Sequence, residues 1–214
     1  MIRGPLLALL VAAGAAECQR KAPEELQRPE PPAPVPQATA PAQAAAPTTA
    51  TLSVPSLSAR CVLRTPTEPP APVPPGPAPG CPPDPERAPA RPEVVRVVFP
   101  DVSGVAVEAE LVRSEHDTMR GLMYRTSMGE ERGMLFDLRV RDDHKFWMHN
   151  TCIPLDLIYA DEDGLIVGIV ESAPTLDDSS RGVGCPSRWV LEVNAGWARR
   201  HGVKAGQQLT LPAG

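Results

Sequence analysis

No phenylalanine, tyrosine or tryptophan occurs before Phe99, although the chain runs to 214 residues and holds eight aromatics in all. The first 92 residues instead carry 23 of the 28 prolines. Such a stretch cannot bury enough apolar surface to offset its chain entropy, which excludes a core there and predicts an extended, mobile segment. The motifs with a strong catalytic mechanism are missing too. There is no Gly-x-Ser-x-Gly elbow, no phosphate-binding glycine loop, no His-Glu-x-x-His helix and no Cys-x-x-Cys pair. Basic charge is short where a fold can form: from residue 93 onward 13 basic residues face 19 acidic ones, which argues against a nucleic-acid partner.

The apolar run at the start, Leu6 to Ala16, is too short for the roughly 20 residues of a membrane span. Preceded by Met1-Ile2-Arg3 and ending in small side chains, it has the layout of a secretory signal over residues 1–17. Ala15-Ala16-Glu17-Cys18 resembles a lipobox, which would lipidate Cys18 and tether the protein to a membrane. Ala13-Gly14-Ala15 also fits ordinary cleavage. Either reading exports the protein, to the periplasmic face of a membrane or the cell surface of a bacterium. Residues 18–92 then read as a disordered Pro/Ala-rich linker, with runs such as Pro31-Pro32-Ala33-Pro34-Val35-Pro36 favouring polyproline II. In an oxidising compartment the four cysteines beyond Cys18 pair locally: Cys152 with Cys185 in the domain, leaving Cys61 and Cys81 to each other in the linker.

Residues 93–214 read as one domain. Val94 to Phe99 and Val105 to Val112 are β-branched runs around an Asp101-Val102-Ser103-Gly104 turn. Ser114 with Asp117 three positions on predicts a helix start, and Met119, Leu122 and Met123 carry the helix to about residue 124. Gly133 to Phe136, Lys145 to Asn150, Leu155 to Ala160, Leu165 to Val170 and Arg188 to Val193 read as strands, with Asp161-Glu162-Asp163-Gly164 as a hairpin turn. Trp197 to His201 gives one or two helical turns, and Gln207 to Leu211 closes the chain. The expected fold is mainly β, a compact sandwich or barrel with one or two short helices.

His149 lies three residues from Cys152, but export favours Cys152 in a disulfide rather than as a nucleophile. Five of the six methionines, at 119, 123, 128, 134 and 148, crowd into thirty residues. Thioethers bind Cu(I), and core packing accounts for such residues as well. No cofactor is expected.

Arg120-Gly121-Leu122-Met123-Tyr124-Arg125, Gly133-Met134-Leu135-Phe136, Phe146-Trp147-Met148-His149-Asn150-Thr151, Ile153-Pro154-Leu155-Asp156 and Trp189-Val190-Leu191-Glu192-Val193-Asn194-Ala195-Gly196 follow one another in order. Together they resemble the domain of unknown function 192 family over about residues 95–211. The resemblance implies a small β-rich domain, frequent in exported bacterial proteins, with no established activity. Its signature maps here to Arg120, Gly121, Met123, Trp147, Met148, Asn150, Thr151 and Asp156. His149 stands where the family usually has lysine, and Cys152 where an aliphatic or aromatic residue is common, which speaks against catalysis by either.

Two classes of function follow. The first is a non-catalytic binding or accessory module of the cell envelope. Trp147 would be its platform, Asn150, Thr151 and Asp156 its hydrogen-bonding rim, Arg120 and Arg125 its flanking charges, and a glycan or peptide its ligand. The second is a hydrolase using Asp156 and Glu192 as an acid and base pair, which requires both carboxylates to reach one open cleft.

Overall fold

The structure is a computed structural model that describes residues 60–86 and 92–212; the signal segment, Cys18 and the linker up to residue 59 lie outside the described residues. The domain is mainly β, one six-stranded mixed sheet with two short helices. The strands are β1 (Glu93–Val98), β2 (Ala106–Val112), β3 (Arg132–Asp142), β4 (Leu155–Ala160), β5 (Ile166–Ala173) and β6 (Ser187–Asn194). Helix α1 (Glu115–Arg120) sits between β2 and β3, and α2 (Trp197–Arg200) follows β6. The spatial order is β1-β2-β3-β6-β4-β5, in which β2 and β3 are the parallel neighbours. Residues 207–210 bridge the two edges: Ile166 N–H donates to the Gln207 carbonyl on one side and Thr210 N–H to the Val98 carbonyl on the other. The sheet therefore curls around one of its faces.

Strand periodicity explains the two cores. Side chains alternate across a sheet, so in β4 Ile158 and Ala160 join the core with Trp189, Leu191 and Trp197, while Leu155, Leu157 and Tyr159 join the other with Met134, Phe136 and Val190. Both faces are covered, which is why β4 is buried at every position. We call the face holding Trp197 the inner face and the face holding Phe136 the outer one.

Local signals hold where a side chain or a glycine sets the backbone. Ser114 caps α1 by accepting from Asp117 N–H at 3.1 Å. Gly164 closes the β4–β5 hairpin at φ 84°, where a Cβ would also collide with the Leu209 carbonyl. Three expectations change. The helix stops at Arg120 because Gly121 turns to φ 48°, so Leu122 and Met123 sit in the loop beyond it. Lys145 to Asn150 forms no strand; only Phe146 makes a bridge, to Arg181. Gln207 to Leu211 likewise contributes a single bridge, Leu165 to Gln208.

The linker boundary and the disulfides change most. Cys61 bonds Cys185 and Cys81 bonds Cys152, so neither Cys152–Cys185 nor Cys61–Cys81 forms. Local pairing failed because residues 60–86 lie against the domain and bring each linker cysteine to a domain partner. Arg60 grips the β4–β5 turn through Asp161 at 2.7 Å and Asp163 at 2.6 Å. Leu63 N–H donates to the Val167 carbonyl on edge strand β5. Arg199 then donates to the carbonyls of Pro66, Thr67 and Glu68, and Ala78 N–H to the Cys152 carbonyl. Asp84 ends this strap on Arg120 at 2.6 Å. A proline-rich segment without a core of its own is thus ordered by two covalent bonds and by backbone groups that suit an extended chain. Disulfides persist in oxidising, extracytoplasmic compartments, which is the environment this pattern fits. No helix among the described residues is long and apolar enough to cross a membrane.

Candidate functional site

Asp156 and Glu192 sit on adjacent strands but on opposite faces. In the β4–β6 register Asp156 pairs with Val193 and Leu157 with Glu192. Val193 belongs to the inner core and Leu157 to the outer one, so the sheet separates the two carboxylates. They cannot serve one cleft, and the acid and base pair is thereby overturned.

Asp156 is fully buried and fully used. Its Oδ1 accepts from Ser172 N–H at 2.8 Å and Gly196 N–H at 3.0 Å, and its Oδ2 from Ala198 N–H at 3.0 Å. Burial pushes the carboxyl up, against the three N–H donors that hold it down. It ties β5 and the start of α2 to β4, and neither Arg120 nor Arg125 touches it. The expected exposed rim therefore loses Asp156, which the Ile153-Pro154 turn feeds inward.

Glu192 is the opposite case. It is 4% exposed, and among the described residues its carboxyl has no hydrogen-bond or ion-pair partner. Burial pushes it up to about 8, opposed only by the more distant Arg125 guanidinium. It forms the floor of a cavity of about 200 Å³ on the outer face. One wall is the α1 end and its loop, with Arg120, Leu122 and Met123; the other is the 144–151 loop, with Phe146, Trp147 and Thr151. Phe136 of β3 lies alongside the floor. A buried carboxyl that keeps no protein partner is costly in a fold, so this one is a candidate for ligand chemistry.

Of the residues expected at a site, Trp147, Thr151 and Arg120 converge here. Trp147 is 43% exposed and lies against His149, with ring centroids 5.1 Å apart. His149 itself pairs with Asp178 at 2.7 Å. The Thr151 hydroxyl donates to the His149 carbonyl at 3.2 Å. Arg120 is held by Asp84 and Glu86 of the strap and lies over the Tyr124 ring. Asn150 does not face the cavity. Its amide donates to the Tyr124 hydroxyl at 3.0 Å while Tyr124 N–H donates to its carbonyl, so Asn150 fastens the two walls together. Arg125 makes a two-pronged pair with Glu110, both contacts 2.6 Å, in a neighbouring cavity of about 380 Å³ on the far side of the Gly121 loop. The methionines divide: Met119 and Met123 reach the Glu192 cavity, whereas Met134 and Met148 are core.

A larger cleft of about 500 Å³ lies between the strap and the 126–130 loop. Its lining charges, Arg200 and Glu130, pair with each other at 2.7 Å, so it offers no unmatched group. Glu192 is the residue that sequence reasoning misplaced. The signal was present, since period two in β6 sets Glu192 on the Val190 side, opposite Leu191 and Val193.

The profile of the DUF192 family, described as uncharacterised ACR, matches residues 98–211, and the chain belongs to that family. A protein of unknown function from Novosphingobium aromaticivorans has a crystal structure similar to this fold, with a TM-score of 0.52 and 34% identity over 55% of this chain and 85% of its own. A protein from Sinorhizobium meliloti described as a "putative transcription regulator" is similar at a TM-score of 0.51 and 34% identity, over 54% of this chain and 89% of its own. No curated protein matches the chain.

Proposed function

We propose that the protein is an accessory module of the bacterial cell envelope, exported and tethered through lipid on Cys18, that binds an envelope ligand in the Glu192 cavity without turning it over. The observation that carries the reading is the Glu192 carboxyl, without a partner among the described residues, in one cavity with the exposed Trp147 ring. Binding is favoured over catalysis because the residues that could share proton or nucleophile work are committed elsewhere. Asp156 faces the other core, Cys152 is in a disulfide, and Lys145 pairs with Asp143 at 2.8 Å. Peptides and glycans of the envelope are the ligand classes in reach of an exported, anchored protein.

The test is a thermal-shift screen of the oxidised protein against peptidoglycan fragments, peptides and glycans. A ligand at 100 times its dissociation constant adds about 2.7 kcal/mol, a visible shift. A hit that disappears in Glu192→Gln supports the reading; a hit untouched by that substitution moves the site elsewhere. Mass spectrometry of the mature N-terminus tests the anchor, since an unlipidated start ahead of Cys18 removes it.

A further inference from the structure

We infer that the Glu192 cavity takes the ammonium end of an unbranched primary amine, the group a basic peptide side chain carries, with Trp147 covering its methylene stem. The inference rests on the cavity being the ligand site and names what enters it. Each cation at the walls is already matched. Arg120 has Asp84 at 2.6 Å and Glu86 at 3.2 Å, Lys145 has Asp143, and Arg125 has both oxygens of Glu110. The His144 ring is engaged by the Val140 carbonyl at 2.8 Å. What remains unmatched is one carboxyl among Phe136, Phe146, Leu122, Met123 and Trp147.

That inventory selects the ligand's chemistry. An ammonium is donor-only, with no acceptor for the wall to satisfy, and a carboxylate beside aromatic faces is its natural complement. A sugar needs several donors and acceptors around each ring. Here the Thr151 hydroxyl is already spent on the His149 carbonyl, so the walls supply too few. The size agrees: about 200 Å³ is room for six or seven waters, which a butyl or pentyl chain replaces. The charged and titratable groups facing Glu192 are Glu110 of β2, Arg120 and Arg125 on the α1 side, His144 and Lys145 on the loop, and Tyr159 of β4.

Burial keeps the proton on the empty site up to about pH 8. Taking in the ammonium therefore breaks the Glu192 O–H bond, releases that proton to water and leaves a carboxylate against an intact ammonium. Affinity must rise with pH until Glu192 is ionised, whereas a neutral ligand that accepts the Glu192 proton in a hydrogen bond must bind more weakly as pH rises.

The experiment is calorimetric titration of the oxidised full-length protein with pentylamine, pentanol and N-acetylglucosamine from pH 6 to 9. The wild type is expected to bind pentylammonium about tenfold more tightly per pH unit up to about 8, then level off, with proton release seen in buffers of different ionisation heat. Glu192→Gln is expected to lose at least tenfold and the pH slope; its folding is checked by melting at pH 5, and the wild-type slope needs no variant. Trp147→Ala should weaken binding while keeping the slope. Equal binding of pentanol and pentylammonium, a flat pH profile, or an unaffected Glu192→Gln overturns the inference. If N-acetylglucosamine binds through Glu192 and the amine does not, the amine is wrong and the cavity stands as the ligand site. If no probe binds, the inference is overturned along with the pocket it rests on.

Discussion

The two faces of the sheet each bury a carboxylate within one residue's register of the other, and the two have opposite fates. On the inner face Asp156 meets three backbone N–H groups and becomes a fastener between β4, β5 and α2. On the outer face Glu192 meets none and looks into a cavity. Burial alone therefore does not mark a functional acid. What separates them is whether the fold supplies donors, because a satisfied buried carboxylate stabilises and an unsatisfied one costs.

The most severe way to break this contrast is Asp156→Ala. Three N–H groups, one of them fully buried and two half-buried, would lose their acceptor, so we expect a loss on the order of 5 kcal/mol, read by urea or thermal unfolding. A loss below about 1 kcal/mol would show that water reaches those groups and that the inner face is not dry.

Removing Cys81–Cys152 by paired serine substitutions comes next. The bond closes a separation of 71 residues, and chain-entropy reasoning assigns about 4 kcal/mol to it. The effect should fall on the outer face, because Asp84 then no longer holds Arg120 over the cavity. Faster hydrogen exchange at residues 120–125 with unchanged protection in α2 would sharpen the comparison, and equal loosening of both faces would blur it.

Glu192→Gln should act in the other direction. The folded group titrates near 8 and the unfolded one near 4.3, so the fold holds an extra proton between those values. Its contribution is full below about pH 4.3 and is lost as pH rises through about 8. Glutamine removes that loss. The variant should match the wild type at pH 4 and exceed it by about 4 to 5 kcal/mol at pH 8 in paired melting curves.

The smallest effect belongs to the strap's first anchor. Burial pushes the Asp161 carboxyl up, but the Arg141 and Arg60 guanidinium groups outweigh it and hold the group at about 2. A depressed value stabilises above the ordinary carboxylate range and is lost as pH falls through about 2. With solvent screening, Arg60→Ala should cost about 1 kcal/mol at pH 7 and nothing below pH 2.

Much of the fold was legible because it is local. Ser114 with Asp117 starts α1, the Asp161 to Gly164 turn forms the β4–β5 hairpin, and each of the six strands overlaps an apolar or β-branched run. The 11-residue β3 was underread as four residues, since the period-two alternation of Phe136, Leu138 and Val140 with Asp137, Arg139 and Arg141 that extends it carries as many charges as a loop. The disulfides were not legible, since their partners lie 124 and 71 residues apart and nothing local draws the linker back to the domain. At the site, Trp147, Arg120 and Thr151 were found through the resemblance. Asp156 was placed at a rim because proximity to Asn150 in the chain says nothing about which face a strand position takes. The face of Glu192 was readable from period two in β6, but its separation from Asp156 required the register of β6 against β4, which only the assembled sheet supplies.

The central claim is that Glu192 is a carboxyl the fold leaves without a partner, and carboxyl-carbon NMR titration of the ligand-free, oxidised protein tests it most directly. The account predicts a Glu192 midpoint of about 8, far from the ordinary carboxylate range. A midpoint between about 4 and 5 would mean that a protein donor or open solvent already holds the group ionised, and would contradict the burial on which the site rests.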